Sequence, residues 1–421
     1  MKSERCRPVS GLGRKTAGGG EARGFLDIGS SKVCCLILLG DRVLGFGLHR
    51  SRGIKAGVIV DLDDAEQVVR AAVDEAERMA AVTLAGIHVG VACGRLGSAT
   101  FKGHVELDDG LVHRRHLLSL DRGARTFAER GGRLLVAMNR IGYGLDGTVG
   151  IRDPRGMTGR RLTGSYHAVT VDETPLRNLL LLVERCHLAV DGFTPVPLAS
   201  ALAATSEDER RQGVVCLDIG GGATTIAAFR HGHFVFADVV PMGGKHITLD
   251  IARSLRTPLA EAERIKTLYA TLAGAASDQN EVIAFPLAGE AEPAIHHTTR
   301  AALGPIVRQR IDGLLQLVRE RLDRSGLPGC ANDPIVVTGG TSQLLGLGGY
   351  VAAVLRRSVR VGVPRPISGM PQRGTGASFA AVAGLALAAA SSEYRLAVEH
   401  EPAPLPRSYL GRVGRWLRDS F

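Results

Sequence analysis

The tetrapeptide Leu-Asp-Ile-Gly occurs twice, at 26–29 and at 217–220. Apolar or β-branched runs lie on both sides of each copy, beyond the turn residues Ser30 to Lys32 and Gly221 to Ala223, so Gly24 to Ile37 and Val214 to Ala227 each read as strand, tight turn, strand. Such a hairpin has a specific chemical use. Its first strand delivers one Asp, and the following glycines let the backbone approach a phosphate with its N–H groups. The hydroxyls of Ser30, Ser31, Thr224 and Thr225 would add donors. One hairpin of this kind is commonplace and reads equally as an ordinary glycine turn with a surface Asp. Two, each opening a long α/β stretch, point to a duplicated domain. Facing each other across a cleft, they would hold a polyphosphate, and Asp27 and Asp218 would hold a hydrated magnesium ion.

A third glycine turn lies at Pro334 to Leu344, where an apolar strand runs into Gly339, Gly340 and Thr341 before a helix start. There the backbone can lie flat against a nucleoside. Between the turns are helical patterns. Asp61 to Met79 opens with Asp61, Asp63 and Asp64 and carries Val68, Val69, Ala72, Val73 and Ala76 on one face. Thr257-Pro258 predicts another helix, with Thr as N-cap and Pro at its first position. On it Glu263 and Lys266 share a face, which taken alone reads as a solvated pair. Lys245, after Gly243-Gly244, is either a phosphate contact or a solvated lysine. From about Gly86 to Ser165 the helix–strand rhythm breaks, and a small inserted subdomain is expected there.

Composition removes other classes. The 421 residues are enough for several domains, and 54 of them are glycine, about twice the usual share. The glycines follow no period, so a collagen-like chain is excluded. Aromatics are 4%, which argues against a base-stacking protein, and no nucleic-acid partner is expected. No apolar run reaches the ~18–20 residues of a membrane span; Ala377 to Ala390 reads as a buried helix. Met1 to Gly24 lacks an apolar signal core. The seven cysteines form no Cys-x-x-Cys pair and read as reduced core thiols of a cytoplasmic protein. Part of the net charge of +10 sits at the two ends, where it favours a polyanion or an anionic membrane surface.

The three ordered turns together resemble the actin-like ATPase superfamily. Within it the sequence is most similar to the FtsA family of bacterial cell division proteins, from about Gly24 to Ala389. The stretches that narrow the resemblance include Ser51-Arg52-Gly53-Ile54-Lys55-Ala56-Gly57, Glu184 to Leu188, Asp250-Ile251-Ala252 and Ala262 to Lys266. The resemblance implies a two-lobed α/β fold, a duplicated ribonuclease-H-like unit with a small subdomain inserted in the first lobe. The expected divisions are a basic arm at 1–23, first-lobe core at 24–86 and 166–212, and the insertion at 87–165. The second-lobe core follows at 213–245 and 329–390, with its small subdomain at 246–328. It further implies ATP and Mg2+ held by Asp27, Gly29, Ser30, Ser31, Lys32, Asp218, Gly220, Gly221, Gly222, Thr224, Glu263, Lys266, Gly339, Gly340 and Thr341, the metal by Asp27 and Asp218. The role implied is to polymerise on the cytoplasmic face of the inner membrane and tether filaments of the tubulin-like protein FtsZ there at the division septum, alongside other division proteins. A sugar-kinase-like phosphotransferase and a pilus-assembly adaptor of the same superfamily are the alternatives. Two positions depart from the pattern. Ala223 stands where relatives place Thr, with Thr224 as its substitute, and Thr194 to Ala201 offers no acid or amide to orient an attacking water. Nucleotide turnover is therefore expected to be slow at most.

The end of the chain carries its own argument. Glu401 to Pro406 has three prolines and reads within a stiff linker, 391–407. After it, at 408–421, Leu410, Val413, Leu417 and Phe421 fall on one arc at 100° per residue, with Trp416 at its edge and Arg412, Arg415 and Arg418 opposite. This is the pattern of an amphipathic membrane-targeting helix on anionic lipid, the other reading being a terminal helix docked on the protein's own core. With each arginine contributing about 1 kcal/mol at an anionic surface, a single copy would anchor weakly, and a polymer would anchor by multivalency.

Overall fold

The computed structural model describes residues 21–273, 281–289, 294–327 and 332–391. The expected duplication is visible as two five-stranded sheets of identical topology. In the first, Arg23–Ile28, Lys32–Leu39 and Arg42–Arg50 form an antiparallel meander, and Gly86–Val91 and Ala189–Pro195 extend it in parallel on the other side. In the second, Val214–Ile219, Thr224–Arg230 and His233–Val240 form the meander, and Ile335–Thr338 and Val359–Val361 are the parallel additions. Both sheets run third, second, first, fourth, fifth. Val214–Ile219 is buried at every residue because both of its faces are covered, which is why it reads as a continuous apolar run.

The register repeats as well. Asp27 pairs with Cys34 in the first hairpin and Asp218 with Thr225 in the second. Each turn is closed by its first glycine, Gly29 N–H donating to the Lys32 carbonyl and Gly220 N–H to the Ala223 carbonyl, both at 3.0 Å. The helix expected at Asp61 to Met79 forms at Leu62–Ala80, with the Asp61 carboxylate accepting from the Asp64 N–H. The next helix differs from expectation at its start. It spans Leu259–Tyr269 with Pro258 at the cap position. The Thr257 hydroxyl instead donates to the Pro286 carbonyl at 2.7 Å, tying the helix to a neighbouring hairpin.

Two helices join the lobes. Val196–Ala204 is buried throughout, and the expected apolar helix forms at Ala380–Ala390 after a short turn at Ala377–Phe379. They cross backbone to backbone: a Cβ on Gly384 would lie 1.7 Å from the Ala199 carbonyl oxygen. Only glycine permits that approach, which explains the small-residue composition of both helices.

The insertion begins later than the expected residue 87. Gly86–Val91 belongs to the first sheet, held between two parallel neighbours, which its apolar sequence suits. The separate sheet consists of Gly97–Glu106, Arg161–Asp172, Arg133–Leu145 and Thr148–Ile151 in that spatial order, with the helix Arg114–Ala128 packed on it. Although inserted in the first lobe, it is pinned to the second. The Asn139 side-chain amide donates to the Phe234 carbonyl at 2.9 Å, and the Ala237 N–H donates to the Ser98 hydroxyl at 3.0 Å. His167 links these two residues, with Nδ1 at 3.3 Å from Asn139 Oδ1 and Nε2 at 2.8 Å from the Ser98 hydroxyl. Burial pushes the imidazole down to about 3, so it is neutral and can donate to Asn139 while accepting from Ser98. The chain of bonds thus begins and ends on second-lobe backbone.

Candidate functional site

The two Asp-bearing turns meet tip to tip between the lobes. A Cβ on Gly221 would lie 1.9 Å from the Ser31 hydroxyl oxygen, and one on Gly222 would lie 2.5 Å from that of Ser30. Any larger side chain at these two positions would displace the opposing serines. Lys245 crosses the same gap, its ammonium donating to the Ser30 carbonyl. It is the second lobe's direct polar grip on the first hairpin, which sequence left open between a phosphate contact and a solvated lysine.

Behind the tips the carboxylates of Asp27 and Asp218 feel each other. Burial pushes Asp27 up to about 6, Lys32 opposes that rise, and Asp218 adds to it. Burial also raises Asp218, against a hydrogen bond from Ser200 and the charge of Lys32. Lys32 serves both acids, and burial lowers its own pKa despite them. Its ammonium also sits 3.5 Å from the centroid of the Phe379 ring, a cation–π contact. Two desolvated carboxylates sharing one ammonium form a charge-deficient set that a divalent oxygen-seeking cation would satisfy, so the residues fit Mg2+.

Asp218 is held in place from two further directions. The Ser200 hydroxyl, on the buried joining helix, donates to its Oδ2 at 2.5 Å. Gly339 lies against its Oδ1, so close that a Cβ there would be 2.1 Å away, and takes φ +88°, a conformation that favours glycine. The third glycine turn thus abuts the second Asp hairpin. Thr341 donates its hydroxyl to the Gly220 carbonyl at 3.0 Å, and Gly340 opens the 3-10 turn that follows.

The helical pair joins the same neighbourhood. Lys266 donates to Glu263 at 2.7 Å, to the Thr248 hydroxyl at 3.0 Å and to the Gly244 carbonyl at 3.3 Å. Gly244 N–H in turn donates to the Gly220 carbonyl at 2.9 Å. These contacts draw Glu263, Lys266, Thr341 and the second hairpin into one wall, with Glu263 half exposed. Thr224 departs from its expected role. It is fully buried, and its hydroxyl donates to the Met242 carbonyl at 2.8 Å, so the strand uses the donor that the cleft was expected to use. Ser200 and Phe379 were absent from the expected site. Both lie in apolar helical segments, and only the packing of those helices behind the hairpins brings them to Asp218 and Lys32. The arc of Leu410, Arg412, Val413, Arg415, Trp416, Leu417, Arg418 and Phe421 lies outside the described residues.

Comparison with known proteins gives consistent results along the chain. Residues 215–384 match the family model described as cell division protein FtsA, and residues 94–170 match the SHS2 domain inserted in FtsA. The latter agrees with the later start of the inserted sheet. The cell division protein FtsA of Rhizobium meliloti is 39% identical over 94% of each chain. Those of Pseudomonas aeruginosa and Escherichia coli are 33% and 28% identical, over 94% of this chain and 97% of theirs. Among solved structures, the type IV pilus biogenesis complex PilM–PilN aligns with TM-score 0.62 at 16% identity, covering 87% of this chain and 97% of that one. MreB5 of Spiroplasma citri bound to ADP aligns with TM-score 0.56 at 14% identity, covering 87% and 95%. These structures share the actin-like fold. With the duplicated sheets, the inserted SHS2 unit and relatives matching along nearly the whole length, this chain belongs to the FtsA family of cell division proteins.

Proposed function

We propose that this chain binds ATP with Mg2+ between its two Asp-headed hairpins, polymerises on the cytoplasmic face of the inner membrane, and tethers FtsZ filaments there at the division septum. The observation that carries the nucleotide reading is the meeting of Ser30 and Ser31 with Gly221 and Gly222, backed by two carboxylates whose ionised forms burial disfavours. In this reading Asp27 and Asp218 hold the metal, which when bound would neutralise phosphate charge. The turn N–H groups and the Ser30 and Ser31 hydroxyls face the phosphates, and Lys32 stands beside both acids as a cation of the first hairpin. Gly339, Gly340 and Thr341 take the nucleoside face, with Glu263 and Lys266 toward the ribose and adenine. Solved MreB structures bound to ADP and to AMPPNP, of the same fold, support the choice of nucleotide.

Turnover is slow in this reading. The segment behind Asp218 offers Ser200, whose hydroxyl is already donated to that Asp, and no acid or amide to orient a water. The chain's role is then that of a nucleotide-dependent scaffold. The membrane attachment rests on the sequence of 408–421, because no described helix is long and apolar enough to cross a membrane. The test is sedimentation with vesicles containing phosphatidylglycerol, with and without FtsZ, for the full chain and for a chain ending at residue 407. The full chain is expected to sediment and to carry FtsZ with it, and the shortened chain is expected to do neither. Equal sedimentation of the two would remove the tail from the account.

A further inference from the structure

A cavity of about 1140 Å3 lies away from the nucleotide cleft, where the insertion, the second lobe and the joining helices meet. Its wall carries four guanidinium groups: Arg140 and Arg152 from the insertion, Arg210 and Arg211 from the short helix Glu207–Gln212. Glu207 is the one carboxylate in the wall, and Arg211 already engages it. Arg152 makes no ion pair among the described residues.

Two donors of this wall are buried without an acceptor. Arg140 gives one terminal nitrogen to Asp121 at 2.9 Å, but its Nε hydrogen-bonds to nothing among the described residues. The Tyr143 hydroxyl, also buried, accepts from the neighbouring Arg140 guanidinium and donates to no described acceptor. A β-bulge puts both on one side of the strand: Ser165 pairs with Gly142 and Tyr166 with Arg140, so Ile141 is the extra residue. The Arg140 guanidinium accordingly lies over the Tyr143 ring, 4.7 Å from its centroid. A buried donor left without an acceptor destabilises a fold unless something supplies one, and buried polar groups are otherwise almost always satisfied.

We propose that this cavity is a binding site for a phosphate group, carried by a soluble phosphate compound or by a phospholipid headgroup. Guanidinium forks match phosphate oxygens in pairs. A tetrahedral anion also offers acceptors in several directions at once, which suits donors arriving from the insertion and from the helix Glu207–Gln212 together. A carboxylate presents two oxygens in one plane and would leave some of them unpaired. The wall also includes Leu387 and Ser391 at the end of the closing helix and the turn His231–His233 of the second lobe. An occupant would therefore fasten the insertion, the second lobe and the end of the closing helix to one another.

The experiment is calorimetric titration of the full chain with pyrophosphate, followed by competition with dihexanoyl phosphatidylglycerol below its micelle concentration. The double variant Arg152→Gln/Arg211→Gln, at two exposed positions, is expected to bind pyrophosphate at this site at least about tenfold more weakly. Tyr143→Phe, which removes one hydroxyl and keeps the ring, is expected to weaken it several-fold. Asp218→Ala is expected to change only the pyrophosphate that binds in the nucleotide cleft, whereas the double variant and Tyr143→Phe change only binding at this cavity, which separates the two sites. Competition by the lipid would assign the phosphate to a headgroup; binding of pyrophosphate without lipid competition would assign it to a soluble compound. If neither probe binds, or if the double variant and Tyr143→Phe both retain the native affinity, the proposal is overturned.

Discussion

Asp27→Asn should make the nucleotide-free protein more stable and the nucleotide-bound protein less so. In the fold the Asp27 carboxyl is pushed from 3.8 up to about 6, first by burial and then by Asp218. A group whose folded pKa is raised contributes stability that is fully present below its unfolded value and is lost as pH rises through the folded one. At about 1.36 kcal/mol per pH unit, the ionised carboxylate costs the empty cleft about 3 kcal/mol at pH 7.5. Asparagine has the same shape and no charge, so it should recover about that amount, about 3–4 °C in midpoint for a chain of this size. The gain should shrink to about 1 kcal/mol at pH 4.5, where the folded native chain is already protonated there. The pH response of His167 is common to both proteins and cancels in the difference. With ATP and Mg2+ at about a hundred times the dissociation constant, the native chain should gain about 2.7 kcal/mol, and the variant should lose most of that gain. Thermal unfolding followed by circular dichroism, at both pH values and with or without nucleotide, measures all four quantities. A variant less stable than the native chain without nucleotide, or one with an equal response to nucleotide, would refute the reasoning.

Two other substitutions probe what supports the site. Ser200→Ala removes the donor to Asp218 Oδ2 and leaves that buried carboxylate short of one partner; a loss of about 1–3 kcal/mol in urea unfolding, with weaker ATP affinity, is expected. Asn139→Leu breaks the bond to the Phe234 carbonyl and the chain through His167 to Ser98. It should destabilise by about 1–3 kcal/mol and raise hydrogen exchange at Phe234 to Ala237, while ATP affinity changes little.

Much of this fold is legible in the sequence because its defining elements are local. A strand that ends in Asp and runs into glycine is written in consecutive residues, so both hairpins, the Asp61-capped helix and the glycine turn at Gly339 can be placed without coordinates. Their mutual approach is not local. That Gly221 and Gly222 sit against Ser31 and Ser30 follows only from the docking of two lobes. For the same reason the sequence assigns Thr224 to the cleft, although its hydroxyl closes onto Met242, and misses Ser200 and Phe379. The strand Gly86–Val91 is misassigned to the insertion because a short apolar run looks the same whether it joins an old sheet or begins a new one. The sugar-kinase and pilus-adaptor alternatives, equally compatible with the three turns, fall to relatives that match over 94% of the chain.

The central claim is that one nucleotide is held from both lobes at once, and equilibrium titration with ATP and Mg2+ tests it most directly. Asp218→Ala alters the second hairpin, and Gly340→Asp puts a charged side chain on the nucleoside face. Each should weaken binding at least about tenfold, as the loss of a charged contact worth about 1.5–3 kcal/mol would. Native affinity in both variants would contradict the account.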